Sequence, residues 1–318
     1  MIDRDWTYVN DNGSIYHGKG KMKVNIFLPK DGIIKVCVFF MHGFSQFTLA
    51  YEKTLTNVSE VANVAIVSVD TGITSWIVLG ELISKPLQIV TDVNRAQFVL
   101  QRALSEDTKQ CIRMVYNGYG IFKDLNIHQN MPIGISGHSM GAGLTLSVAA
   151  EFKYVDYVFV MAPVSGVKQF DPVNGIAKRT VDNSMILVGS WDFIAKVSNV
   201  EKIVALSNKE KEKSSILVII HRGVHTGFED RLVITSIPLE RIITFLIGMA
   251  STLEKVFLTA TMKLLGSNTA QLEGSELLMG YVFNEMVKDK KISTKNGKKY
   301  LEDNLKTKWD KEFNITYV

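Results

Sequence analysis

The sequence predicts an α/β fold with a mostly parallel central sheet and helices on both faces. Three observations predict it. Apolar runs of strand length alternate with helix-length amphipathic runs. The strand runs are apolar on both faces, as strands buried in a parallel sheet are. No internal repeat or low-complexity linker divides the 318 residues, a length that suits one large α/β domain.

The elements follow in chain order. "KVNIFLP" (23–29) and "IIKVCVFFM" (33–41) read as a hairpin pair, with Asp31-Gly32 as its turn. "VAIVSVD" (64–70) is a valine-rich buried strand. "PLQIVTDVNRAQFVLQRAL" (86–104) has helical periodicity, with Pro86 near its start. "MPIGIS" (131–136) is a strand and "AGLTLSVAAEF" (142–152) a helix. "VDYVFVMAP" (155–163), "SMILVGS" (184–190) and "SILVII" (215–220) complete the strands, and an apolar helix follows Pro238. From about Lys288 the chain turns lysine-rich, with nine lysines against five acids, and "TKNGKKY" (294–300) carries an Asn-Gly turn signal. Residues 1–287 are thus read as one domain, and 288–318 as a tail extending its surface.

The formal charge is +4, and most of the excess lies in that tail, so no nucleic-acid surface is inferred. The tail could touch anionic lipid weakly. Two cysteines, Cys37 and Cys111, allow at most one disulfide. The polar start "MIDRDWTYVN" is no secretory signal, and the apolar run from Ile242 to Leu253 is too short to span a bilayer. A cytoplasmic location is the expectation.

"GISGHSMGAG" (134–143) stands between a strand and a helix. In that context G-x-S-x-G makes a sharp elbow, its glycines letting strand and helix approach while Ser139 projects over the sheet edge. The helix N-terminus beneath favours developing negative charge. The plainer alternative is a glycine-rich turn with a capping serine. A serine nucleophile needs a base. His225, in "RGVHTGFED" after the strand 215–220, is the candidate, with His221 in reserve. His17 and His128 lie in polar segments, and His138 should point away from the nucleophile. The acid should follow the intervening strand, where "MILVGSWDFIA" puts Asp192; Asp171 and Asp182 compete from loops. The oxyanion donors should be the N–H groups of Met140 and of Phe44, which follows His42-Gly43 at a strand end.

Together these motifs resemble the α/β-hydrolase superfamily, across roughly residues 20–250. Within it the chain resembles the branch of cutinase-like polyester hydrolases, chlorophyllase-like esterases and platelet-activating-factor-acetylhydrolase-like enzymes. The elbow of the cutinase-like members is matched by Gly137 to Gly141, their oxyanion donors by Phe44 and Met140, their acid segment by "SWDFIAKV" and their base by His225. The secreted members' signal peptide and C-terminal disulfide are missing here. The resemblance implies the α/β-hydrolase fold and a serine esterase with the triad Ser139, Asp192 and His225.

The expected reaction is hydrolysis of short-to-medium acyl esters through an acyl-enzyme, with a small-molecule or lipid-like substrate and no metal or organic cofactor. A thioesterase, a small-peptide hydrolase and an acyltransferase would use the same triad. A non-catalytic binding protein is the alternative of another class. The apolar segments 71–87 and 245–265 stand out. Trp76, with Trp191, is expected to line an acyl cleft.

Overall fold

A computed structural model of the protein describes residues 2–9, 15–43, 47–70, 93–127, 131–164, 183–209, 215–230, 269–305 and 313–317. The elements are β1 (Ile2–Val9), β2 (Ile15–Phe27), β3 (Cys37–Met41), α1 (Glu52–Ala62), β4 (Ala65–Asp70) and α2 (Val93–Asn117). There follow α3 (Ile121–Asp124), β5 (Ile133–His138), α4 (Met140–Glu151), β6 (Val155–Met161) and β7 (Asn183–Gly189). The last are α5 (Val197–Lys209), β8 (Ser215–Ile220), α6 (Thr269–Val287), α7 (Thr294–Asn304) and β9 (Phe313–Tyr317). Short 3-10 turns, Thr48–Tyr51 and His225–Phe228, precede α1 and follow β8.

Among the described residues nine strands form one sheet in the order β1-β2-β4-β3-β5-β6-β7-β8-β9. The six from β4 to β8 run parallel, and β2 and β9 flank them antiparallel. The parallel strands are apolar on both faces because both are covered. Every residue of β3, β4, β5 and β7 is buried. A Cβ at Gly134 of β5 would meet Phe283 and Met286 of α6, while one at Gly137 would meet Thr145 of α4. Successive strand residues face opposite ways, so α6 and α4 cover opposite faces. The α1 helix packs with α6, and α2 with α4.

Three expectations change. Residues 23–41 do not form a hairpin. Gly32 does turn the chain, its N–H reaching Pro29 O at 3.0 Å, with Ile33 N–H on Asp31 Oδ1 at 3.0 Å. But β4 lies between the two strands, pairing antiparallel with β2 and parallel with β3. Because β3 is buried on both faces, it takes an interior position with β4 and β5 as neighbours. The partner of β2 on its other side is β1, from Ile2↔Met22 to Val9↔Ile15. Second, Asn296-Gly297 lies inside α7, capped by the Ser293 hydroxyl, and marks no turn. Third, the lysine-rich segment also supplies β9, the edge strand beside β8. Cys37 and Cys111 are both buried and form no disulfide, and burial pushes the Cys37 thiol far above its ordinary range. Residues 71–87 and 245–265, with Trp76, Phe44, His128, Asp171 and Asp182, lie outside the described residues. No helix among the described residues is long and apolar enough to cross a membrane.

The parallel strands end at one edge, and Asp70, the last residue of β4, ties that edge down. Its carboxylate accepts from Thr48 N–H at 2.8 Å, Thr48 Oγ1 at 2.5 Å, Asn25 Nδ2 at 2.9 Å and Lys23 Nζ at 2.8 Å. Burial alone would raise its pKa; the bonds from Lys23 and Thr48 outweigh burial and hold it below the ordinary 3.8. The unfolded chain thus takes up the proton first. Asp70 contributes its full stability above the ordinary value and loses it as pH falls through the lower folded value. Asp70→Asn should cost about 1–3 kcal/mol in urea unfolding at neutral pH. Its deficit against the wild type should shrink on acidification below that value.

Candidate active site

The turn between β5 and α4 is built by exclusion. A Cβ on Gly141 would lie 2.1 Å from Met41 O and 2.4 Å from His42 O, and one on Gly137 would lie 2.6 Å from Thr145 Oγ1. Even alanine would collide: the bare Gly141 lets the turn pack against the end of β3, and the bare Gly137 lets α4 fold back over β5. Between them Ser139 takes φ 57° and ψ −121°, a sparsely populated conformation for a residue with a side chain. It is held by its N–H on Met161 O at 2.9 Å and by its carbonyl, which accepts from Gly143 and Val164 N–H, both at 3.2 Å.

The Ser139 hydroxyl meets the His225 ring. Ser139 Oγ is 2.7 Å from His225 Nε2, and His225 Nδ1 is 2.8 Å from Asp192 Oδ2. A carboxylate only accepts, so Nδ1 carries the hydrogen. In the neutral ring Nε2 is then bare and takes the Ser139 O–H. The other Asp192 oxygen accepts from the N–H groups of Ile194 at 2.9 Å and Ala195 at 2.7 Å. The Asp192 side chain is fully buried; Ser139 and His225 keep a little exposure. The arrangement can pull a proton from a serine hydroxyl onto an imidazole whose positive form is stabilised behind it.

The loop carrying His225 is fastened from two helices. Gln271 of α6, itself fully buried, clasps Val224 at both ends. Val224 N–H donates to Gln271 Oε1 at 2.9 Å, and Gln271 Nε2 donates to Val224 O at 2.8 Å. At the far end Asp230 accepts from Thr54 N–H at 2.9 Å and Thr54 Oγ1 at 2.5 Å, and Asp230 N–H reaches Ala50 O at 2.8 Å. That carboxylate caps the first turn of α1, where it is electrostatically welcome.

The remaining expected residues fall as follows. Met140 is the first residue of α4, buried beside Ser139. Trp191 is 45% exposed, with the Arg222 guanidinium 5.9 Å from its ring centroid. Phe193 and Ile194 are exposed beside it. His221 is exposed in the turn after β8. His138 is buried with its ring 5.1 Å from that of His225. Burial, then the neighbouring His225, hold it well below the ordinary histidine range, so it is neutral. Tyr51, Gln271, Asp230 and Glu229 escaped the sequence reading. None carries a local motif, and only the fold brings them near the elbow.

No family model matches the chain, and no curated protein matches it by sequence. Solved structures do. An esterase from Pyrobaculum calidifontis superposes with a TM-score of 0.54 at 11% identity, over 89% of this chain and 85% of that one. Carboxyl esterase 2 from the fungus Tuber melanosporum gives a TM-score of 0.51 at 11% identity, over 90% and 86%. The fold is that of the α/β-hydrolases. In the α/β-hydrolase fold seen here, the loops after β3, β5, β7 and β8 all open at the carboxyl edge of the sheet, where such sheets hold their ligands.

Gln271→Leu keeps the side-chain volume but strands a buried N–H and a buried carbonyl of Val224. It should destabilise the chain by about 2–4 kcal/mol, measured by chemical denaturation. Gln271→Glu keeps an acceptor for the Val224 N–H but turns another towards the Val224 carbonyl and buries a charge, so it should not recover the loss.

Proposed function

We propose that the protein is a serine hydrolase of carboxylic esters. One observation carries the reading: an unbroken chain of short hydrogen bonds from the Ser139 hydroxyl through His225 to the buried Asp192. The likeness of the fold to two esterases supports it by analogy.

In this reading Ser139 Oγ attacks the ester carbonyl as its proton passes to His225 Nε2. Asp192 holds the ring by Nδ1 and stabilises the imidazolium. The developing oxyanion is met by the N–H groups of Met140, at the start of α4, and of Phe44. His225 then protonates the leaving alcohol. Water, deprotonated by the same ring, releases the acid and restores the serine. The sequence motifs favour the cutinase-like and chlorophyllase-like branch. Trp191, beside Asp192 and partly exposed, suits the wall of an apolar cleft, and Trp76 is proposed from the sequence as a second wall residue.

Ser139→Ala should abolish ester hydrolysis and fluorophosphonate labelling while leaving the unfolding midpoint near that of the wild type. His225→Ala should do nearly equal damage and Asp192→Asn somewhat less, because the three act as a unit. Full turnover in His225→Ala would overturn the assignment.

Chain-length preference is read from p-nitrophenyl esters. Each buried methylene is worth about 0.8 kcal/mol, so kcat/KM should rise several-fold per two carbons, from acetate to between butyrate and octanoate. Trp191→Ala and Trp76→Ala should each weaken the longer esters more than acetate. An equal loss for all esters would remove that residue from the cleft.

A further inference from the structure

A second hydrogen-bonded string runs behind the elbow. It begins at Gly43, whose N–H donates to the Tyr51 hydroxyl oxygen at 3.3 Å. That oxygen lies 2.7 Å from His138 Nδ1, and His138 Nε2 lies 3.0 Å from the carbonyl oxygen of His225. Tyr51 and His138 are both fully buried.

The ends of the string fix the direction of every bond within it. A backbone carbonyl only accepts, so His138 Nε2 carries a hydrogen. In the neutral ring Nδ1 is bare, and the Tyr51 O–H must be its donor. The phenol stays un-ionised, since burial and then the Glu229 carboxylate hold its pKa well above the ordinary value. Its lone pair is left for the Gly43 N–H, the only role a backbone amide can fill. The hydrogens therefore all point one way, from the turn after β3 to the main chain of His225. The groups packed against the string pull the ring both ways: the Glu229 carboxylate would favour a positive ring, while burial and the neighbouring His225 favour the neutral one and prevail. Glu229 Oε1 is 3.8 Å from His138 Nδ1, His225 faces it ring to ring, and Asp230 lies on the Tyr51 side.

We propose that Tyr51 and His138 are positioning residues for the ester hydrolysis assigned above. They hold the Gly43 peptide, which leads into the Phe44 oxyanion donor, in fixed register with the backbone of the base. Neither side chain touches the reacting atoms. Packing ties the same groups together: a Cβ on Gly43 would lie 3.2 Å from Tyr51 Oη, 3.3 Å from Ser139 Cβ and 3.4 Å from His138 Nδ1. The turn, the nucleophile and the string thus meet at one point.

The role rests on the esterase reading, and the experiment separates the two. Wild type, Tyr51→Phe, His138→Gln and His138→Phe are compared for kcat and KM on p-nitrophenyl butyrate, with fluorophosphonate labelling of Ser139 alongside. Tyr51→Phe should lower kcat roughly tenfold or more, with KM nearly unchanged, the size expected when buried groups lose a partner. His138→Gln, which keeps a donor and an acceptor, should retain more kcat than His138→Phe, which keeps only the ring. A space-filling role would reverse that order and overturn the proposal. Nitrogen-15 spectra of wild-type histidines should show His138 neutral, with its hydrogen on Nε2, where an ordinary histidine is half protonated. A hydrogen on Nδ1 would overturn the proposal even if no variant folds. A wild type that is neither labelled nor active would overturn the esterase reading, and this role with it. An active wild type whose kcat is untouched by Tyr51→Phe would overturn the string alone.

Discussion

Everything at the site depends on two backbones passing closer than any side chain would allow. Residue 141 slides beneath the carbonyls of Met41 and His42, and the lack of a Cβ there is what permits it. That contact fixes how far α4 penetrates over the end of β3. It therefore also fixes where the serine stands relative to the turn at His42-Gly43. The price is a strained Ser139, held by backbone hydrogen bonds to Gly143, Met161 and Val164. Glycine at these positions is steric necessity and not flexibility: the segment around them is fully buried.

His225 is positioned from much farther away in sequence. Its loop hangs between α1, which closes the first third of the sheet, and α6, which follows nearly forty residues later. Gln271 grips the residue before His225, and Thr54 grips Asp230 beyond it. The His225 loop is thus held by main-chain anchors on both flanks, a fully buried amide on one side and a half-buried carboxylate on the other.

The strands of the parallel core could be read from the sequence because burial on both faces leaves an unbroken apolar run, as in 215–220. The positions of Ser139, Asp192 and His225 could be read because each follows such a run. What escaped was pairing. Asp31-Gly32 has turn chemistry, and it does turn the chain, but turn chemistry does not say which strand lies next door. The stronger hairpin signal, Asn12-Gly13, stands between β1 and β2, the strands that do pair consecutively. In the last thirty residues the lysines masked two elements. The alternation Phe313, Ile315, Tyr317 is a strand pattern, and Leu301 is a buried contact inside a run of charges. Tyr51 and Gln271 were illegible for a different reason. Their partners are 87 and 47 residues away, a relation that no local window contains.

The antiparallel strand β9 gives the order of synthesis a physical consequence. It supplies the outer neighbour of β8, the strand whose end carries the base loop. A ribosome delivers β8 almost a hundred residues before Phe313. Until then β8 presents a free, apolar backbone edge able to recruit a strand from any chain nearby. Between those two points in synthesis, the outer edge of β8 is where the described sheet is open to mispairing.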